Sequence, residues 1–220
     1  MLIIFDWDGT ILDSSDKIVA CMQEGARSFG IPECTAEQIR NIIGLELSVA
    51  IAFLYPGLSP GGVEKIRAAY VRSFIVADEQ PCLLFEGVEE GLHALKSAGH
   101  DLCVATGKSR RGLDRVFSHL PICSLFSASR CADEAVSKPD PLMLQQLCEE
   151  RGFAPAQAIM VGDTEYDLEM ASRFAMPSIG VSYGAHSVER LRRWQPLEVI
   201  DQFDQLFALV TEHGQRQGIG

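Results

Sequence analysis

Short apolar runs recur along this chain, each ending abruptly at a polar or acidic residue. Residues 2–5 (LIIF) run into Asp6, a pattern that predicts a buried strand with its carboxyl end at the acid. Residues 101–105 (DLCVA), 157–161 (QAIMV) and 178–181 (SIGV) repeat it, and residues 124–128 (SLFSA) and 198–200 (EVI) are shorter versions. Between these runs the apolar spacing lengthens to that of a helix. Val88, Leu92 and Leu95 share one face of 88–98, and Leu144, Leu147 and Cys148 one face of 141–151; residues 165–175 are closed by Pro177. Strands alternating with helices predict an α/β core, a Rossmann-like parallel sheet with helices on both faces.

Residues 15–82 break the alternation. Ile18, Val19, Met22 and Ala26, then Ile39, Ile42 and Ile43, then Val63, Ile66, Ala69 and Tyr70 keep helical spacing, with YPGLSPGG (55–62) as a turn. No strand pattern interrupts them. The expected organisation is a core of residues 1–14 and 83–220 with an inserted helical domain at 15–82. The tail GQRQGIG (214–220) is expected to fray.

Composition narrows the function. In 220 residues, 47% hydrophobic, the formal net charge is -11, which argues against a nucleic-acid partner, because a phosphate backbone needs clustered Lys and Arg. No run of eighteen apolar residues predicts a membrane span. An N-terminus without a basic region or cleavage pattern predicts a cytoplasmic protein. Seven cysteines without a CxxC pair suggest neither a disulfide framework nor a zinc site.

Four short motifs carry chemistry. In FDWDGTILDS, Asp6 and Asp8 lie two apart after a strand and point the same way, while Trp7 points away and packs. Two such carboxylates repel unless a cation or proton separates them. Gly9 allows a tight turn that turns backbone N–H groups toward an anion. VATGK (104–108) sets the Thr106 hydroxyl and Gly107 amide at a second strand end, though Ser109 or Thr106 could simply cap a helix there. In SKPDP (137–141), Lys138 precedes a proline, so its backbone is extended and its side chain can reach into a cleft. VGDTEYD (161–167) puts Asp163 at a strand end with Asp167 one helical turn on; the plain alternative is Asp163 as an N-cap and Asp167 exposed.

In this order the motifs resemble those of the haloacid dehalogenase-like hydrolases over nearly the whole chain, and the helical insert resembles that family's first-type cap. The resemblance implies a phosphatase, of the phosphoglycolate phosphatase-like branch, acting on a small phosphorylated metabolite; apart from it, a monomer or homodimer is expected. It implies Asp6 as nucleophile, Asp8 as general acid and base, Lys138 as counter-charge, and Thr106 and Gly107 as phosphate holders. Mg²⁺ would be bound by Asp6, Asp8 (through its carbonyl) and Asp163, with Asp167 acting through water or holding the loop. Lys108, with Arg110 and Arg111, is a candidate for substrate at the rim, and Gly44 in NIIGLELSVAI (41–51) for close approach to substrate. Arg40, Asn41 and Glu46 lie nearby, Glu46 reading better as a helix cap. Asp8 counts against the dehalogenase and phosphonate-cleaving branches, so Lys17 reads as a solvated helix face. Gly107 stands where phosphoglycolate phosphatases commonly carry an asparagine. A phosphomutase or pyrophosphatase on the same scaffold, and a non-catalytic binding module, are the alternatives. The five histidines show no ligand spacing and read as structural or surface residues.

Overall fold

The computed structural model describes residues 1–216. Six parallel strands, β1 (Leu2–Phe5), β2 (Asp101–Thr106), β3 (Phe126–Cys131), β4 (Ala158–Gly162), β5 (Ser178–Val181) and β6 (Glu198–Ile200), form one sheet in the order β3-β2-β1-β4-β5-β6. The central β1 is buried on both faces, which is why it reads as an unbroken apolar run. Its side chains alternate. Ile3 and Phe5 pack under α5 (Val88–Ser97), α6 (Arg110–Phe117) and α10 (Gln205–Arg216), with Leu92, Leu113 and Val210. Leu2 and Ile4 pack on the other face under α7 (Leu142–Arg151) and α8 (Glu165–Arg173), with Leu144 and Met170. The chain order reverses between β1 and β4, and the carboxyl ends of these strands flank the crevice where α/β sheets bind ligands.

Residues 15–77 hold four helices and no strand: α1 (Ser15–Phe29), α2 (Ala36–Arg40), α3 (Leu47–Leu54) and α4 (Pro60–Ala77). They pack around a separate apolar cluster that includes Met22, Ile39, Ile51 and Ile66. Two segments join this block to the sheet and pair with each other. Leu12 bridges Leu84, the Asp13 N–H donates to Leu83 O at 2.9 Å, and the Phe85 N–H donates to Ile11 O at 3.2 Å.

Several elements differ from the sequence reading. The strand expected at 124–128 starts at Phe126, because Pro121–Leu125 winds into a 3₁₀ turn led by its proline. Strand β3 has one neighbour, so it alternates polar residues and lacks an apolar run. Helices α9 (Val188–Arg192) and α10 add to those the apolar spacing predicts, and α6 is the helix that Ser109 could cap. Helix α10 reaches Arg216, so the first three residues of the tail expected to fray are helical, and the rest lie outside the described residues. Lys17 is not a solvated residue. Its side chain is 13% exposed and Nζ bonds Asp78 at 3.2 Å and Gln80 O at 2.8 Å, pinning α1 to the end of α4.

Candidate active site

Asp6 follows β1 without a break: its N–H donates to Val161 O at 2.9 Å, as if the strand ran one residue further. That fixes the alternation beyond it. Trp7 turns into the core against Phe117 and Phe126, ring centroids at 5.0 and 5.8 Å, while Asp6 and Asp8 face the crevice. At the end of β4 stands Asp163, and Asp167 lies in the first turn of α8. Asp6, Asp163 and Asp167 each offer a carboxylate oxygen, all within 4.8 Å of one another, and all three residues are fully buried. Thr164, not Asp163, precedes α8 as its cap. Asp167, far from being exposed, accepts from the Thr164 N–H at 3.1 Å and hydroxyl at 2.7 Å.

Lys138 is the cation in this group. Its Nζ lies 2.7 Å from Asp6 Oδ1 and 2.6 Å from Asp167 Oδ1, with all three side chains out of water. Burial works to lower the Lys138 pKa, yet Asp167 and Asp6 outweigh it and hold the ammonium above the ordinary lysine value. One cation does not balance three acids. Burial, with Asp167 and Asp163 adding to it against the pull of Lys138, pushes Asp6 well above the carboxylate range. Burial and then Asp167 push Asp163 up to about 7, against hydrogen bonds from the Ala185 N–H at 2.8 Å and the Thr10 hydroxyl at 2.9 Å. Asp6 Oδ2 is buried with no partner among the described residues. A buried oxygen without a donor, in a cluster of hard carboxylate ligands with excess negative charge, fits a divalent cation. Asp6 and Asp163 are the carboxylates to hold it, since Asp167 is committed to Lys138 and Thr164.

Glycines make the cluster possible. A Cβ on Gly9, whose φ is +85°, would lie 2.2 Å from Asp163 Oδ2, and one on Gly184 would lie 2.2 Å from Asp163 Cβ. Gly9→Ala is expected to destabilise the fold by roughly 1–3 kcal/mol through left-handed strain and displacement of Asp163. Urea unfolding measures it; an unchanged midpoint would mean that the loop relaxes freely around a methyl group.

Asp8 differs from its neighbours. Its Oδ1 accepts from the Ser14 hydroxyl at 2.6 Å, and its Oδ2 pairs with Lys108 Nζ at 2.9 Å, both side chains 12% exposed. Lys108 also sits over the Phe74 ring, 4.8 Å from its centroid. Thr106 is buried at the end of β2, and its Oγ1 accepts from the Lys108 N–H at 3.1 Å, leaving the hydroxyl hydrogen free to donate. Ser109 is the helix cap there, accepting from the Gly112 N–H.

The helical block closes over these groups. Gly44, at φ +96°, lies in the turn between α2 and α3. A Cβ on Gly107 would lie 2.5 Å from Gly44 O, so the two loops meet backbone to backbone. Glu46 caps α3 by accepting from the Val49 N–H at 3.0 Å, while its own N–H donates to Ser137 Oγ at 2.9 Å. Arg40 pairs with Asp16 at the surface. Arg110 is engaged by Glu134 and Ser129. Asn41 joins a seam with the sheet: its carbonyl accepts from Tyr166 Oη at 3.0 Å and faces His186 Nε2 at 3.3 Å, and its side chain accepts from Arg190. His186 accepts from the Glu165 N–H through Nδ1, and burial, then Arg190, lowers its pKa to about 4, so a neutral ring bridges the seam. Between block and sheet remains a cavity of about 450 Å³, with Asp6, Asp8, Thr106 and Gly107 on its floor.

Sequence patterns did not single out Ser14, although it lies in the first motif. The backbone of Ala185 left no signal at all, because any residue supplies an N–H.

Comparison with known proteins gives consistent matches. The family model described as "Haloacid dehalogenase-like hydrolase" matches residues 3–181. A protein of Dickeya dadantii named "Probable phosphatase IndB" is 34% identical over 211 residues, covering 93% of this chain and 91% of its own. A phosphoglycolate phosphatase of Vibrio cholerae is 29% identical over 217 residues, covering 95% and 96%. A crystal structure titled as that of "a predicted phosphatase" from Clostridium acetobutylicum superposes with a TM-score of 0.86 at 25% identity, covering 96% and 98%.

Proposed function

The chain belongs to the haloacid dehalogenase-like hydrolases, as a phosphatase of the phosphoglycolate phosphatase-like kind, and from that premise we propose that it hydrolyses a small phosphorylated metabolite with Mg²⁺ through a phosphorylated Asp6. The observation that carries the reading is Lys138 Nζ between Asp6 and Asp167, beside Asp163, with Asp6 itself on the floor of a cavity under the helical block. Residues 15–82 act as the cap and residues 1–14 and 83–220 as the catalytic core.

Asp6 attacks phosphorus from the end of a rigid strand, so its approach is fixed before substrate arrives. Thr106, whose oxygen is already engaged by Lys108 N–H, donates its hydrogen to a phosphate oxygen, and the Gly107 amide donates to another. Lys138 holds Asp6 in place and offsets the charge that gathers as two anions meet. Asp8, positioned by Ser14 and Lys108, passes a proton taken up from solvent to the leaving oxygen as that oxygen's bond to phosphorus breaks, and then takes a proton from the water that hydrolyses phospho-Asp6. Asp6, Asp163 and the Asp8 carbonyl would hold Mg²⁺, which would supply positive charge against the phosphate. Asp167 keeps Lys138 and the start of α8 in register.

Phosphate release from an aryl phosphate, with and without Mg²⁺, tests the reading. Turnover that disappears with chelator and returns with Mg²⁺ is expected. Mg²⁺ at 100 times its dissociation constant is also expected to raise stability by about 2.7 kcal/mol, read as a higher melting temperature. Turnover indifferent to the metal would remove the cation from the mechanism, and no turnover on any phosphomonoester would remove the phosphatase.

A further inference from the structure

The cavity above Asp6 is larger and more apolar than a two-carbon leaving group requires. Its volume of about 450 Å³ falls in the ~300–1,000 Å³ range of pockets that enclose drug-sized ligands. Ile18 and Met22 from α1, Ile43 from the loop, and Val71 and Phe74 from α4 form apolar wall. Glycolate, a handful of atoms carrying its own carboxylate, would leave most of that wall bare.

The polar groups of the cavity fall into two sets. Lys108 is held by Asp8, Arg67 by Glu64 and Arg115 by Asp78, so these three are already paired. Arg72 and Arg111 line the cavity with no ion pair or side-chain hydrogen bond among the described residues. Both are exposed, as expected of groups at a mouth. In a chain of net charge -11, two unpaired arginines on one cavity are not explained by balancing nearby acids. Tyr70, on the same wall, makes no hydrogen bond through its hydroxyl among the described residues, and burial raises its pKa, so it faces the cavity as a neutral phenol.

We infer that the substrate is a phosphomonoester whose alcohol carries a ring of nucleoside size, packed against the α1 and α4 walls, with its far polar edge at Arg72 and Arg111. Planar guanidinium groups suit that edge, since they hydrogen-bond carbonyl and anionic oxygens in pairs and lie flat against rings. The walls argue against a sugar bisphosphate, whose hydroxyls would find few partners on Ile43, Val71 and Phe74. The inference rests on the phosphatase reading and narrows it.

The test compares kcat/KM for 2-phosphoglycolate, ribose 5-phosphate and a set of nucleoside 5′-monophosphates at one Mg²⁺ concentration, beside an aryl phosphate. At least one nucleoside monophosphate is expected to exceed phosphoglycolate by about tenfold or more, since a ring covers apolar wall that glycolate leaves wet. In the double variant Arg72→Ala, Arg111→Ala, the ratio of nucleoside monophosphate to ribose 5-phosphate turnover is expected to fall about tenfold, through KM. Calorimetry of the same nucleoside monophosphate on Asp6→Asn, with and without the two arginine changes, reads the binding loss free of chemistry. Phosphate release from the aryl phosphate with phosphoglycolate or ribose 5-phosphate ahead would overturn this inference and leave the phosphatase standing. An unchanged ratio in the double variant would overturn the role of the arginines. No release from any compound, the aryl phosphate included, would sink both readings together.

Discussion

Asp6→Asn is expected to lower phosphate release by on the order of 10⁴-fold or more, because asparagine keeps the shape of the side chain and removes the nucleophile. The same change should not weaken the fold. Asp6 is fully buried, and its carboxylate form is disfavoured by desolvation and by Asp167 and Asp163. A neutral amide relieves that repulsion and leaves Lys138 paired with Asp167 at 2.6 Å. In chelator the variant should melt at or above the wild-type temperature, and Mg²⁺ should raise its melting point less. These two readouts separate chemistry from folding. Full activity in Asp6→Asn would end the case for a phosphorylated Asp6. Low activity with a lower melting temperature in chelator would point to a damaged fold.

Removing the cation has the opposite consequence. Lys138→Met keeps most of the stem and deletes the charge, leaving Asp6 and Asp167 facing each other out of water. Breaking a buried ion pair from one side typically costs about 3–5 kcal/mol, and here two acids lose their partner at once. Urea unfolding at neutral pH should show a loss of that size, with turnover abolished. The sign of the pH dependence follows from the residues left behind. Lys138 has a raised pKa in the fold, so its contribution is fully present below the unfolded lysine value and is lost only as pH rises beyond it. Without Lys138 nothing cationic opposes burial at Asp6, so its pKa rises further, and a carboxylate with a raised folded pKa binds protons more readily in the fold than in the unfolded chain. Acidification from pH 8 to pH 5 should therefore recover part of the variant's loss relative to wild type. A variant as stable as wild type at pH 8 would mean that the three-way contact carries little energy.

The parts of this architecture that could be read from the chain share a physical reason. Strand β1 is buried on both faces and must be apolar throughout, so LIIF stood out, and the acid after it marked the strand's end. The seam between block and sheet could not be read. It depends on the carbonyl of Asn41, the backbone of Gly44 and the N–H of Glu46, groups that every residue type presents alike. Asp167 illustrates the limit from another side. Its spacing from Asp163 was visible, but an acid in the first turn of a helix is as common in water as in a core. Only the fold, bringing Lys138 across from the loop before α7, decides between the two. Edge strand β3 is legible only in part, its expected span beginning two residues early and ending three short, and helix α9 not at all, because their exposed faces dilute the apolar period.

The contact of Gly44 with Gly107 has a consequence for how this scaffold can diversify. Two bare loops touching at their main chains form a hard stop, with no rotamer to adjust and no atom left to trim. Position 107 can only grow. Any side chain placed there acts as a spacer that lifts the roof or shifts it sideways. In this chain the height of the chamber is therefore set by the bare backbone at 107, and the roof can seat no lower.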